Sequence, residues 1–465
     1  MANDITTAWQ AYTPTADNPW DAKKVGHLYR RAGFGASSAE LDAGVKDGPE
    51  VTLDRMLNGG PADADFEQSS EFMASERSLP AGTPAVQLAA WWLYRMLRTP
   101  HPLREKLSLF WHNHFATSIV KVQNARYMLG QYRLVHRHAL GNFRNLLQEM
   151  TLDPAMLIWL DAKESKRGKP NENYARELME LFTLGIGNYT EKDIREAAKA
   201  FTGYGIKQGK ATFVEKEHDA GPKTVLGKTG DFAAKDVVDI CLAQKACPRF
   251  LVTKLYHFLF SDAETPKAEF LQPLVRQYAE SDFDTGKLVA TMLRSDHFFS
   301  ASVYRAKVKS PVEFAVGIVR VLEGNVGPLS LANSLEALGQ VLFAPPSVKG
   351  WDGGPAWLNG QTLLFRQNLA LALTSTEDAR FGRRCDPAAV LSRYDRRTDE
   401  AAIAFFLRVF LQDDVSAEAR EQLAGYANKS KATKYPPFWS ADDVTKHRLR
   451  TLAHLTLTLP EFQLN

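Results

Sequence analysis

Apolar residues recur along nearly the whole chain at the three-to-four-residue spacing of a helix, and the two-residue alternation of a strand is almost absent. The clearest stretch is Pro170 to Thr183. There Tyr174, Leu178, Leu181 and Phe182 fall at i, i+4, i+7 and i+8 and predict an apolar face. Asn173, Arg176, Glu177 and Glu180 share a narrow polar stripe on the same helix. Pro170 and Asn171 are start signals, and Gly185 and Gly187 are stops. Val86 to Leu97 is apolar nearly all round and predicts a buried helix. Pro102 opens another, with Leu103, Leu107, Phe110, Trp111, His114 and Phe115 on one face. Thr190 to Asp193 reads as a capping box, and Pro311 suits the first position of a helix running to Leu322. Residues 202–228 are rich in glycine and predict a small hairpin, with 211–214 as one strand.

The fold class expected is therefore mainly α: a large multi-helix body over 19–465 with a small Gly-rich irregular or β insertion around 202–228. Two lobes, 19–330 and 331–465, are one way to divide it. Residues 1–18 are polar and read as an arm over the surface or left loose.

Composition narrows the classes. With 45% hydrophobic and 24% charged residues the chain has ample core for a soluble globular protein. A net charge of +3 is too small to argue for nucleic acid. Three cysteines, Cys241, Cys247 and Cys385, do not make a disulfide framework. No apolar run reaches the roughly 18 residues of a membrane span, and the N-terminus lacks the features of a signal peptide. Cytoplasmic is thus the default location. There is no Gly-x-Ser-x-Gly, Walker loop, dinucleotide fingerprint or His-Glu-x-x-His, which turns the reading away from familiar nucleotide and serine-hydrolase chemistry.

Four clusters could carry chemistry. On the 170–183 stripe, Glu177 and Glu180 are candidate general acid and base, Arg176 a holder of negative charge and Asn173 a substrate contact. The plain alternative is a solvated face with an Arg–Glu pair. His112 and His114 make a His-x-His pair suited to a divalent metal if carboxylates join it. On a continuous helix, however, they diverge by roughly 200°, since each residue turns about 100°. Glu217-His218-Asp219 with Lys223, in the irregular region, offers a proton carrier, a carboxylate and a cation, or else only a turn. Trp351 and Trp357, in the Pro/Gly loop 345–359, could stack on sugar rings or merely staple that loop to the body. Arg366 follows on a helix.

These strings together resemble the bacterial family catalogued as domain of unknown function 1800. The matching segments are 27–35 (His-Leu-Tyr-Arg-Arg-Ala-Gly-Phe-Gly), 109–115 (Leu-Phe-Trp-His-Asn-His-Phe), 170–180, 201–203, His218-Asp219 with Lys223-Thr224, Pro346-Ser347 with Gly350-Trp351, and 366–368. The resemblance covers nearly the whole chain and implies no activity. It implies that relatives are often encoded beside an alkaline-phosphatase-like family and that many are exported. If the strings meet, one pocket would hold His112, His114, Asn173, Arg176, Glu177, Glu180, His218 and Asp219, since burying that many polar groups singly is costly. The leading expectation is a hydrolase-like or lyase-like enzyme, metal-assisted or not, acting on a polar substrate such as a glycan. Its competitor is a non-enzymatic helical partner that docks the alkaline-phosphatase-like neighbour.

Overall fold

The computed structural model describes residues 7–61, 63–262 and 265–465. The chain is mainly α: helices account for 60% of it, and among the described residues the strands form two antiparallel hairpins. The hairpins pair Tyr204–Lys207 with Lys210–Phe213 and Lys223–Val225 with Lys228–Gly230, so the Gly-rich segment is indeed where helical periodicity lapses. Buried apolar residues form one cluster extending from Tyr12 to Phe462. No helix among the described residues is long and apolar enough to cross a membrane.

Local chemistry sets the helix ends. The Ala85–Arg98 helix buries Trp91 and Trp92 completely or nearly so, as its all-round apolarity requires. The boxes at Thr190/Asp193 and Ser310/Glu313 both form, each side chain accepting from the other residue's backbone N–H. The arm is not loose over residues 7–18. Trp9 donates to the Phe270 carbonyl at 2.7 Å, and Tyr12 donates its N–H to Arg294 at 2.8 Å.

One predicted helix comes out differently. Residues 173–183 begin as the α-helix Asn173–Glu177 and continue as the wider π-turn Leu178–Thr183. Leu184 then donates back five residues, to the Met179 carbonyl, at 2.9 Å. The Thr183 hydroxyl donates to the Leu178 carbonyl, occupying an acceptor that an α-turn would bond to a backbone N–H. The apolar stripe survives, with Tyr174, Leu178 and Phe182 buried. The polar stripe does not keep its α register beyond Glu177.

Candidate active site

Three parts of the chain, with residues 307–313, line a cavity of about 370 Å³, within the roughly 300–1,000 Å³ of small-molecule sites. They are the last turns of the Pro102–His114 helix, the second half of the Ala246–Leu259 helix, and the tryptophan loop. The lining includes His114, Lys254, His257, Asp262, Lys307, Glu313, Lys349, Trp351 and Trp357.

The loop is fixed by an amide. Asn113 accepts the Trp351 N–H at 2.8 Å and donates to the Trp351 carbonyl at 3.2 Å, as a neighbouring strand would. Gly350 is what lets the side chain come so close. Its φ of +82° suits glycine, and a Cβ there would lie 2.1 Å from the Asn113 oxygen. The middle residue of the His-x-His string therefore holds the loop that carries one cavity wall.

The two histidines are engaged in opposite senses. The backbone N–H of Phe343 donates to His112 Nε2 at 3.1 Å, so neutral His112 carries its proton on Nδ1. His114 Nε2 lies 3.2 Å from the Phe182 carbonyl, which can only accept, so neutral His114 carries its proton on Nε2. Its buried Nδ1 lone pair has no partner. Burial draws His112 down to about 3. It also draws His114 well below the usual histidine range, helped by the nearby Lys254 charge and opposed by the Phe182 bond. His112 packs among Trp92, Tyr132 and Phe343, apart from the cavity. The pair does not turn to a common point. Among the described residues no three His, Cys, Asp or Glu side chains group as a metal ion requires.

Half of the Lys, Asp and Glu side chains in the lining, namely Asp262, Lys307 and Glu313, are matched by ion pairs. Lys307 pairs with Asp262 and donates to the His257 carbonyl at 2.7 Å. Glu313 pairs with Lys106 behind the wall, and Lys106 also donates to the Gly33 carbonyl at 3.0 Å. Burial works against the Glu313 carboxylate, but Lys106 and the Ser310 N–H bring it down to about 2. Of the lining charges without an ion pair among the described residues, Lys349 and Asp352 are exposed and Lys254 is half-buried. Lys254 makes no ion pair or hydrogen bond among the described residues, and its ammonium sits 5.2 Å from the centre of the Phe250 ring. Desolvation alone pulls it down to about 8. The helix that carries it is held at its C-terminal end by Arg31, which donates to the Leu259 carbonyl at 2.9 Å and to that of Phe260. This gives the 27–35 string a structural reason: Arg31 anchors the wall that presents Lys254.

The other singled-out residues lie outside the lining. Arg176 takes both oxygens of Glu191, at 2.8 Å each, and reaches Glu172 at 3.3 Å. Glu180 accepts from the Tyr189 hydroxyl at 2.8 Å, and Asn173 is exposed. Glu177 is half-buried and accepts no hydrogen bond among the described residues. Burial and the Glu180 charge raise its pKa, with Arg176 and the cavity-lining Lys349 opposing. His218 bonds the Thr202 carbonyl through Nδ1 at 3.0 Å, and Asp219 takes the Thr202 hydroxyl on its N–H at 2.7 Å. Lys223 is buried and donates to the Gly221 carbonyl and to Asp231. Arg366 is buried as well, donating to the Lys309 carbonyl at 2.7 Å and to Gln463. The strings thus divide. His114, Trp351 and Trp357 meet at the cavity, and Arg176, Glu180, His218, Asp219, Lys223 and Arg366 bond elsewhere.

Lys254, His257 and Asn113 were not singled out by sequence. A signal existed for the first two: 250–260 is an apolar helix interrupted by one lysine and one histidine three residues apart.

A single family model, described as "Protein of unknown function (DUF1800)", matches residues 27–464. The chain belongs to the DUF1800 family. No curated protein and no solved structure matches it significantly. The family segments that surround the cavity are 27–35 through Arg31, 109–115 through Asn113 and His114, and Gly350-Trp351.

Proposed function

We propose that this DUF1800 protein is an enzyme performing acid–base chemistry, hydrolytic or eliminative, on a small polar molecule bound in the 370 Å³ cavity. One observation carries the reading: a single lining combines a neutral imidazole with an unpartnered lone pair, an amine with no counter-ion, and two tryptophans. Such groups are costly to maintain in a purely structural wall. Trp351 and Trp357 suit the face of a sugar or comparable ring. Of the central carboxylates, Glu177 remains the candidate acid or base, because its charge is coupled to that of Lys349.

A second reading, a non-enzymatic partner of the alkaline-phosphatase-like neighbour, draws on the other half of the family strings. Arg176 and Lys223 are paired within the protein, as a structural framework would be.

The test is tryptophan fluorescence titrated with neutral monosaccharides and with sugar acids. A saturable change is expected that is lost in Trp357→Ala and kept in Arg176→Ala. No change with any of these ligands, or the same change in Trp357→Ala, would remove the reading.

A further inference from the structure

The lining contains three lysines in three different states. Lys307 is bound to Asp262 and to a carbonyl. Lys349 is exposed at its position in the loop. Lys254 is half-buried, makes no ion pair among the described residues, and holds its ammonium 5.2 Å from the centre of the Phe250 ring, with Phe110 and Phe258 in the same cavity lining. Gly185 backs Phe250: a Cβ there would stand 3.1 Å from the ring, so the ring has little room to withdraw. An isolated ammonium in such a surround could hold an anion, or, losing its proton, act as a nucleophile. The second use is favoured because no carboxylate among the described residues pairs with this amine to hold its proton, as Asp262 does for Lys307.

We propose that Lys254 is a covalent catalytic residue that forms an imine with an aldehyde or ketone substrate. The proposal rests on the cavity being the active site and adds the class of substrate: a small polar carbonyl compound, such as an open-chain sugar or a keto acid. In the step, the neutral amine adds to the carbonyl carbon and a C–N bond forms. The proton shed by nitrogen passes through solvent to the oxygen, giving a carbinolamine. The hydroxyl then leaves as water, with a second proton, and the C=N bond remains. One water is released for each imine, and nothing is oxidised or reduced.

With its ammonium drawn to about 8, roughly a tenth of Lys254 is neutral at pH 7, against about one part in a few thousand for an ordinary lysine. The full chain is incubated at pH 7 with sodium cyanoborohydride and either D-glyceraldehyde or pyruvate, then digested and mapped by mass spectrometry. Lys254 is expected to carry the reduced adduct at least about tenfold faster than the typical surface lysine. Its labelling midpoint should lie near pH 8, and the adduct at this position should vanish in Lys254→Arg. Labelling at or below the surface rate with both carbonyls overturns the proposal. The sugar titration is run alongside on the unmodified protein. Saturable binding with Lys254 unlabelled removes only the imine, whereas neither binding nor labelling removes the active-site reading with it.

Discussion

The cavity and the corner built by 171–191 and 215–231 are both made from family strings, and they treat polar groups in opposite ways. In the corner, cation meets carboxylate and donor meets acceptor: Arg176 with Glu191, Lys223 with Asp231, Tyr189 with Glu180. At the cavity, among the described residues, Lys254 has no ion pair and the His114 Nδ1 has no donor, although Glu313 and Asp262 are fully engaged. A polar sequence string therefore does not by itself distinguish framework from chemistry. Unmatched buried nitrogens also occur away from the cavity, at His27 and Arg366, so what sets the cavity apart is that an unmatched imidazole nitrogen and an unpaired amine line one hollow.

The largest expected effect sharpens this contrast through pH. His112, His114 and His27 are buried neutral, so below about pH 6.5 the unfolded chain binds protons that the folded one refuses. Stability should fall by up to about 1.4 kcal/mol per histidine for each pH unit below 6.5, until the folded values are reached. Asp153, pushed up to about 6 by burial, offsets part of this. Below about 4.5 the loss steepens, since Glu313 and Glu105 sit near 2 when folded and their stabilisation disappears as pH falls towards that value. Denaturant unfolding at pH 7.5, 5.5 and 4 measures the effect, and a flat profile between 7.5 and 5.5 would contradict the burial of these imidazoles.

Next in size is Lys106→Met, which leaves Glu313 buried without its partner and should cost about 3–5 kcal/mol. Lys106→Met with Glu313→Gln should recover part of that loss, which a thermal melt of the two variants would show. The smallest effect belongs to the corner. Arg176→Ala removes a partly exposed pair and should cost only about 0–1 kcal/mol, less at high salt. A loss as large as that of Lys106→Met would erase the distinction between the two regions.

The helical plan was legible because each helix announces itself locally, as at the Thr190 and Ser310 boxes or in the apolar run ending at Leu97. The π-turn after Glu177 was not. It depends on a hydroxyl–carbonyl bond and on packing that no residue spacing encodes. The tryptophan loop was legible as a loop and as a carrier of rings, but its place beside the histidines was not. The bond that sets it joins residues 238 positions apart. Lys254 was hidden for a related reason. On a helix it reads as a solvated position, and its half-burial in one lining with Phe110 of another helix and Trp351 of the loop comes from tertiary packing.

The π-turn has a consequence for the histidine next to it. By donating to the Phe182 carbonyl, His114 has the tautomer of its ring selected by the last turn of a helix 68 residues further along the chain. Deleting one residue between Leu178 and Thr183 would draw that turn back to α pitch and rotate the carbonyl away. The proton would then be free to move to the other nitrogen, and an acceptor would become a donor with no atom of the imidazole replaced.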